Sequence, residues 1–260
     1  MYTIEVQNAQ GDVLAHAEGI GDARLVFKGE YHTGDVIIFA APQKHVALVV
    51  DQAVSPAQVY LPQQKLTFHV PFGDAVNGYA PQAFMGEKHA MWIGPLSEDA
   101  RHQRRNIALN PVDQRGDDAC YPHAMANVET RGEAQFWARN AIDGTRFNND
   151  HGGWPYHSWG IGERRDAWLR IDFGRPVTID EVALTLRADW PHDAWWERGT
   201  VDLSDGFTTE LPLVKTVEAQ YFPLGEHTVT WVRLRDLIKA DDPSPYPALT
   251  QLEVYGYDAE

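Results

Sequence analysis

Short apolar segments separated by turn residues recur about every ten residues along this chain, and this rhythm is the strongest constraint on its fold. The first segment shows the pattern, because Ile4 and Val6 alternate with polar neighbours. Alternation with a period of two places every second side chain on one face of a strand, whereas helical periodicity is weak in the N-terminal part. The sequence therefore predicts an all-β fold. Residues 71–93, rich in Gly, Pro and aromatic side chains, are expected to form an irregular hydrophobic lid between domains, with a binding loop as the alternative.

The length of 260 residues allows two domains with proper cores. Between two series of strand-like segments, Ser97 followed by Glu98 and Asp99 predicts a short helix, because Ser is a good N-cap and acidic residues suit a helix N-terminus. The predicted organisation is an N-terminal β-sandwich or barrel over residues 1–96, a helical linker over 97–105, and a second β domain over 106–260.

The charge and cysteine content exclude several classes of protein. A net charge of −15 argues against binding to nucleic acid or to an anionic membrane surface. The single cysteine, Cys120, rules out an intrachain disulfide. Because the N-terminus has neither a basic start nor an apolar run, the chain as written is expected to be cytoplasmic, or extracellular if a leader is missing.

The stretch from Asn140 to Gly174 carries the most information about function. It begins with Asn-Ala-Ile-Asp-Gly (140–144), which predicts a turn, and ends with Trp-Leu-Arg-Ile-Asp-Phe-Gly (168–174), which predicts a half-buried strand. The loop between them contains His-Gly-Gly-Trp-Pro-Tyr-His-Ser-Trp-Gly (151–160). Aromatic and polar side chains on a glycine-rich loop are typical of a binding surface.

These two motifs, followed by Val-Arg-Leu at 232–234 and Leu-Glu-Val-Tyr-Gly at 252–256, resemble the discoidin or coagulation-factor type C domain. This galactose-binding-like family includes the family 32 carbohydrate-binding modules, and the resemblance covers about residues 106–257. It implies an eight-stranded jelly-roll sandwich with ligand loops at one end. The chain departs from the blood-clotting members, which have a disulfide between the two ends of the domain.

The resemblance also implies a structural calcium ion, Ca²⁺, beside the Asp-Gly turn. Calcium prefers several hard oxygen ligands from a bent loop, and it would stiffen the loop rather than take part in chemistry. In the alternative interpretation Asp143 only caps a turn and Glu253 is a surface residue of a strand. The positions that match the calcium ligands of the sugar-binding members are Asp143, Thr145, Asn148 and Glu253.

Aromatic and hydrogen-bonding side chains are concentrated in the loops of the second half. Indole and phenol rings stack on the C–H faces of sugars, and polar groups bind the hydroxyls. The alternative is that at least half of the tryptophans fill the ends of the sandwich as core residues. The candidate ligand-binding residues are Trp154, Tyr156, His157, Trp159, Arg187, Asp189, His192, Trp195, Trp196 and Tyr246.

The sequence therefore favours a non-catalytic protein, or an accessory module of a partner enzyme, that binds a glycan or sugar. A second hypothesis is an enzyme acting on oligosaccharides with His157, Asp189, His192 and Asp193 as acid, base or metal ligands. The common hydrolase, metalloprotease, phosphate-loop and dinucleotide motifs are absent from the sequence. A third hypothesis is an assembly module or homo-oligomer in which the aromatic surface docks onto another subunit.

Overall fold

The structure, a computed structural model, describes residues 1–187 and 194–259. Within these residues the N-terminal domain is a sandwich of two four-stranded antiparallel sheets, with strand orders β2-β1-β4-β7 and β3-β8-β5-β6. Its strands are β1 Tyr2–Gln7, β2 Val13–Gly19, β3 Ala23–Lys28, β4 Val36–Ala40, β5 His45–Val49, β6 Ala57–Tyr60, β7 Lys65–His69 and β8 Lys88–Pro95.

The N-terminal core forms because the strands alternate as the sequence predicts. In β1, Ile4 and Val6 are fully buried, whereas Glu5 between them is only half-buried. The inner faces of the two sheets meet in one hydrophobic cluster, in which each sheet supplies every second residue. Large members of this cluster are Ile4, Phe39, Phe68, Val46, Leu48 and Ile93.

The segment expected to be a lid is only partly irregular. It contains a 3-10 helix, Gly73–Gly78, and its rings at Tyr79 and Phe84 are buried in the N-terminal core, 5.5 Å apart. Its last part, however, is strand β8, which pairs with both β3 and β5 and so lies inside the second sheet. The expectation of an irregular segment up to residue 93 was therefore wrong for this strand.

The connection between the domains begins with helix α1, Glu98–His102, where the Ser97 hydroxyl accepts a hydrogen bond from the backbone N–H of Ala100. Two later residues, Val112 and Cys120, belong to the N-terminal core, and Tyr121 forms a β-bridge with Tyr60. The chain thus returns to the first domain after entering the second, which packs the two domains against each other.

The C-terminal domain is built on an eight-stranded sheet among the described residues. The main strand order is β11-β16-β12-β15-β13-β14, with β10 paired to β12 and β9 paired to β16. Three 3-10 helices, Thr130–Gly132, Ala134–Phe136 and Ala138–Ile142, lie between β10 and β11. The strands are β9 Arg105–Asn106, β10 His123–Ala126, β11 Trp159–Gly160, β12 Leu169–Leu186, β13 Trp196–Leu203, β14 Thr208–Pro212, β15 Gln220–Lys239 and β16 Ala248–Asp258.

Two long strands wrap this sheet around its core. Strands β12 and β15 change register between Asp172 and Val177 and again between Ile179 and Glu181. Such irregularities bend a strand and increase its twist, so both halves of β12 face the same hydrophobic cluster. The fold class predicted from the sequence, all-β with two sandwich domains, is confirmed. None of the helices in residues 1–187 and 194–259 has the length and apolar character needed to cross a membrane.

A buried carboxylate joins the two domains and their connection. Asp258, at the end of β16, accepts hydrogen bonds from Arg175 Nη2 at 2.5 Å and from Arg101 Nε at 3.2 Å. His45 Nδ1 of the first domain lies 3.1 Å from the same carboxylate, and Arg105 Nη2 lies 3.9 Å from it. We call these five residues the Asp258 cluster.

Candidate functional site

A cavity of about 360 Å³ opens at one end of the C-terminal domain, where β11, the end of β12 and the start of β16 meet the 3-10 segments. Its size falls in the range of small-molecule sites. We call it the loop-end cavity. The residues that line it include Thr130, Arg131, Phe136, His151, Gly160, Glu163, Arg187 and Tyr246.

Glycines allow the wall of this cavity to form. A Cβ atom at Gly160 would lie 2.7 Å from Thr130 Oγ1 and 2.9 Å from Phe136 Cδ1, so only glycine fits there without a shift. Gly162 has a φ of +54° and donates its N–H to Thr130 Oγ1 at 2.9 Å. The Gly-Ile-Gly sequence therefore holds strand β11 and the following turn close against the 3-10 segment.

Two charged residues of the cavity have backbones in the left-handed region, at φ of 54° for Arg131 and 65° for Glu163. This region is uncommon for residues other than glycine, and such strain often marks functional sites. The Arg131 guanidinium donates two hydrogen bonds of 2.7 Å to the Glu133 carboxylate and lies 5.5 Å from the centre of the Phe136 ring. Its position is thus fixed from two sides.

Tyr246 supplies the most exposed aromatic ring of the cavity, with 53% of the residue accessible to solvent. Hydrogen bonding to the Glu163 carboxylate raises the pKa of the Tyr246 phenol. The loop that carries this tyrosine is attached to β12, because Arg187 donates its Nη2 to the Tyr246 carbonyl at 3.2 Å and its N–H to the Ala248 carbonyl at 3.0 Å.

The loop-end cavity therefore combines two aromatic rings with cationic, carboxylate, hydroxyl and imidazole groups. Such a set can stack on an apolar face of a small ligand and hydrogen-bond to a polar rim. Of the ten candidate ligand-binding residues, Arg187 and Tyr246 line this cavity. Arg131, Phe136 and Glu163 were not anticipated; the glycines at 160 and 162 were the available signal, because they permit close approach of the backbone.

Two of the candidate tryptophans are core residues. Trp159 and Trp196 are fully buried, their ring centres are 6.5 Å apart, and both belong to the C-terminal hydrophobic cluster. The Trp159 indole N–H is taken up by the Val128 carbonyl at 2.9 Å. Their assignment as ligand-binding residues was wrong, because a ring enclosed on all sides cannot stack on a ligand.

The other candidate aromatic residues are half-buried away from the loop-end cavity. Trp154 lies against the first domain, where its N–H donates to the Asn77 carbonyl at 2.8 Å. Tyr156 is in the same turn and donates its N–H to Gly153. Trp195 packs on the core, and the Lys215 ammonium lies 5.1 Å from its ring centre. The structure therefore does not bring these rings together with Tyr246.

His157 is buried and paired with Asp143. Its Nε2 lies 2.5 Å from Asp143 Oδ2, and its Nδ1 has no hydrogen-bond partner among the described residues. Asp143 Oδ1 accepts the N–H of Thr145 at 2.9 Å and the Gln251 amide at 3.1 Å. Burial alone would raise the pKa of the Asp143 carboxyl, but the charge and hydrogen bond of His157 outweigh it and lower that pKa. His157 thus serves the interior rather than a ligand.

The four residues that match the calcium positions do not fit a calcium ion as they are arranged. Glu253 is buried, forms an ion pair with Arg146 and accepts the Tyr255 hydroxyl at 2.8 Å. The Asn148 amide nitrogen points to the carbonyls of residues 186 and 217, at 2.6 and 2.9 Å. Asp143 is paired with His157 and Glu253 with Arg146, and residues 1–187 and 194–259 contain no group of three or more His, Cys, Asp or Glu side chains that could hold a metal ion.

The remaining candidate ligand residues, Asp189 and His192, lie outside the described residues, as does Asp193 of the enzyme hypothesis. Arg187 is the last described residue before them.

No protein-family model and no curated protein sequence matches this chain. Among solved structures, it is similar to chitosan-binding module 1 of a chitosanase/glucanase from Paenibacillus sp. IK-5, with 21% identity, 58% of this chain and 99% of that chain covered, and a TM-score of 0.40. It is also similar to a fucose-binding module of Streptococcus pneumoniae, with 18% identity, 59% and 99% coverage, and a TM-score of 0.43.

A third similar structure is a family 32 carbohydrate-binding module of C. perfringens in complex with galactose, with 16% identity, 51% and 91% coverage, and a TM-score of 0.36. This module belongs to the group that the sequence motifs resemble. With TM-scores below 0.5, these similarities do not show what this chain binds.

Proposed function

We propose that this protein is a non-catalytic carbohydrate-binding protein that holds a sugar in the loop-end cavity. The ring of Tyr246 would stack on a C–H face of the sugar, and the charged groups of Arg131 and Glu163 would bind its hydroxyls. Stacking on an aromatic ring with hydrogen bonds around it suits the alternating apolar and polar character of a sugar ring.

The observation that carries this proposal is the exposed ring of Tyr246 beside two charged residues with left-handed backbones. A tyrosine with 53% exposure is not there to fill a core. The left-handed backbones at positions 131 and 163 each adjoin a glycine that also has a positive φ, Gly132 or Gly162. Strain of this kind persists where the surrounding structure holds a site in place.

The enzyme hypothesis is less well supported by the described residues. It relied on His157, which is buried against Asp143 and has no access to a ligand. Its other members, Asp189, His192 and Asp193, lie outside the described residues. The assembly hypothesis needs an exposed aromatic surface, and the side chains of two of the candidate residues, Trp154 and Trp195, are half-buried within the chain.

Isothermal titration with a panel of neutral monosaccharides and disaccharides, including galactose and fucose, tests the proposal. At least one sugar should bind with saturation, and Tyr246→Ala should raise its Kd about threefold to tenfold, the loss expected for one stacking contact. Tyr221→Ala is the matched control, because Tyr221 is equally exposed, at 51%, but lies on β15 outside the cavity lining.

Binding that is weakened equally by both substitutions, or no binding by any sugar of the panel, would contradict the proposal. Turnover of an oligosaccharide that survives His157→Ala would instead favour an enzyme that uses other residues.

A further inference from the structure

A second cavity, of about 600 Å³, lies between the two domains. Strand β7 and the segment after it form one wall, and residues 114–119 with the 3-10 segment near Trp137 form the other. We call it the interdomain groove. It shares no lining residue with the loop-end cavity. The residues that line it include Lys65, Phe72, Arg115, Asp117, Trp137 and Arg139.

A buried cation without a carboxylate partner lines this groove. Arg139 is only 3% exposed, and its guanidinium donates to the carbonyls of Asp113, Gly78 and Pro111 at 2.7, 3.0 and 2.9 Å. It also lies 4.5 Å from the centre of the Tyr79 ring. These neutral partners satisfy its N–H groups, but no carboxylate oxygen of the described residues lies within 4.0 Å of it.

The two carboxylates whose charges act on Arg139 are engaged elsewhere. Asp113 lies 2.7 Å from His123 Nδ1, and Asp143 lies 2.5 Å from His157 Nε2. A buried charge is ordinarily paired, because desolvation makes an isolated one costly. Arg139 therefore offers no free N–H group to a ligand, and it contributes to the groove only the field of a buried cation that Asp113 and Asp143 partly balance.

The rim of the groove adds two further cations. Lys65 is exposed and has no partner among the described residues. Arg115 is exposed and binds Glu129 at 2.6 Å, and its guanidinium lies 5.6 Å from the Trp137 ring centre. Asp117 is the one acidic residue among the described lining residues. In a protein with a net charge of −15, the groove is lined by three cations and one acidic residue, and Lys65 is the lining cation that has no partner among the described residues. An exposed, unpaired ammonium group attracts an anionic ligand.

The same groove also presents aromatic and amide surface. Phe72 is 37% exposed and Trp137 is half-buried, so both have accessible ring surface at the groove. Gln63 and Thr67 lie among the lining residues and carry hydrogen-bonding groups. A simple inorganic anion has no apolar face that could stack on the rings. The hydrocarbon chain of a fatty acid cannot hydrogen-bond to the amide and hydroxyl groups.

We propose that the interdomain groove is a second binding site, specific for a saccharide that carries carboxylate groups. A uronic acid has both a C–H face for Phe72 and Trp137 and a carboxylate for Lys65 and Arg115. This site is separate from the neutral-sugar site of the loop-end cavity, and binding in the groove does not depend on binding in that cavity.

Calorimetric titration with trigalacturonic acid, and with the same trisaccharide reduced at its carboxyl groups, tests this second site. Trigalacturonic acid should bind with saturation and more weakly as NaCl is raised, whereas the reduced trisaccharide should bind at least about tenfold more weakly, as expected for the loss of a charge-assisted hydrogen bond.

Lys65→Glu and Arg115→Glu should each weaken binding of trigalacturonic acid by about tenfold or more. The control is Lys28→Glu, which makes the same change of charge at an exposed lysine at the end of β3, outside the groove. Phe72→Ala should weaken binding of trigalacturonic acid but not of citrate. Thermal unfolding checks that each variant is folded; these four side chains lie at the surface.

The proposal would be overturned by no binding of trigalacturonic acid or by equal binding of the reduced trisaccharide. An equal loss of affinity in Lys28→Glu would also overturn it, because only the overall charge would then matter. Binding of citrate as tight as that of trigalacturonic acid would also overturn it, since the rings and amides would then have no role.

Discussion

The substitution Asp258→Asn tests whether one buried carboxylate holds the two domains together. Asp258 is 1% exposed and is surrounded by His45, Arg101, Arg105 and Arg175. Asparagine has nearly the same shape but no charge, so it leaves the basic side chains of the Asp258 cluster without their shared anion. The amide nitrogen of asparagine would also face hydrogen-bond donors.

The expected cost follows from the burial of this carboxylate. Removing one partner of a buried ion pair typically costs about 3–5 kcal/mol, because the other charge is left uncompensated. For a chain of this size that loss lowers Tm by on the order of 10 °C. The matched control is Asp180→Asn: Asp180 also binds an arginine, Arg104, through both oxygens, but its side chain is 41% exposed, so its loss should cost about 0–1 kcal/mol.

Calorimetric unfolding of both variants from pH 7 to pH 3 measures the difference. Burial would raise the pKa of the Asp258 carboxyl, but the contacts with His45 and Arg175 outweigh it and hold that pKa well below its usual range. A lowered pKa means that the stabilisation is fully present above the ordinary carboxyl pKa of about 4 and is lost as the pH falls below it. The gap between wild type and Asp258→Asn should therefore narrow below about pH 4. If Asp258→Asn were as stable as Asp180→Asn at pH 7, the Asp258 carboxylate would not hold the two domains together.

Two further substitutions test the placement of residues around the loop-end cavity. Gly160→Ala should lower the free energy of unfolding, measured by chemical denaturation, by about 1–3 kcal/mol and should weaken sugar binding, because the added Cβ would lie 2.7 Å from Thr130 Oγ1. The control is Gly21→Ala, which has open space around it and should change stability little. Trp196→Ala should lower the free energy of unfolding by about 3–5 kcal/mol, as expected for a ring in the core. Trp195→Ala should lower it by less, because the Trp195 side chain is only partly buried. Equal losses of stability would contradict the assignment of Trp196 to the core.

The regular strands were predictable because their alternation is local in sequence. Leu169, Ile171 and Phe173 are all fully buried in β12, as their spacing predicts. Strand β8 was missed because a histidine occupies one of its buried positions. His89 is enclosed there by contacts with Asp51 at 3.2 Å and with the Gly86 carbonyl at 2.9 Å, and neither partner can be recognised from the strand's own sequence.

The candidate site was harder to predict, because a tryptophan beside glycine and proline looks the same in a core and in a binding loop. Trp159 is buried because its short strand pairs with Leu249 in β16, a contact between residues ninety positions apart. The burial of His157 could not be predicted for a similar reason. Its partner Asp143 lies 14 positions away and is brought close only by the fold. The exposure of Tyr246 was predictable, since a tyrosine between prolines in an acidic loop has little to pack against.

Mapping of amide chemical shifts during titration with the tightest-binding neutral sugar shows whether that sugar occupies the loop-end cavity. We expect saturable shifts at the backbone amides of Gly160, Gly162 and Tyr246, which belong to this cavity, and small shifts in the N-terminal sandwich. Shifts that avoid these three amides and cluster elsewhere would contradict a sugar site in this cavity.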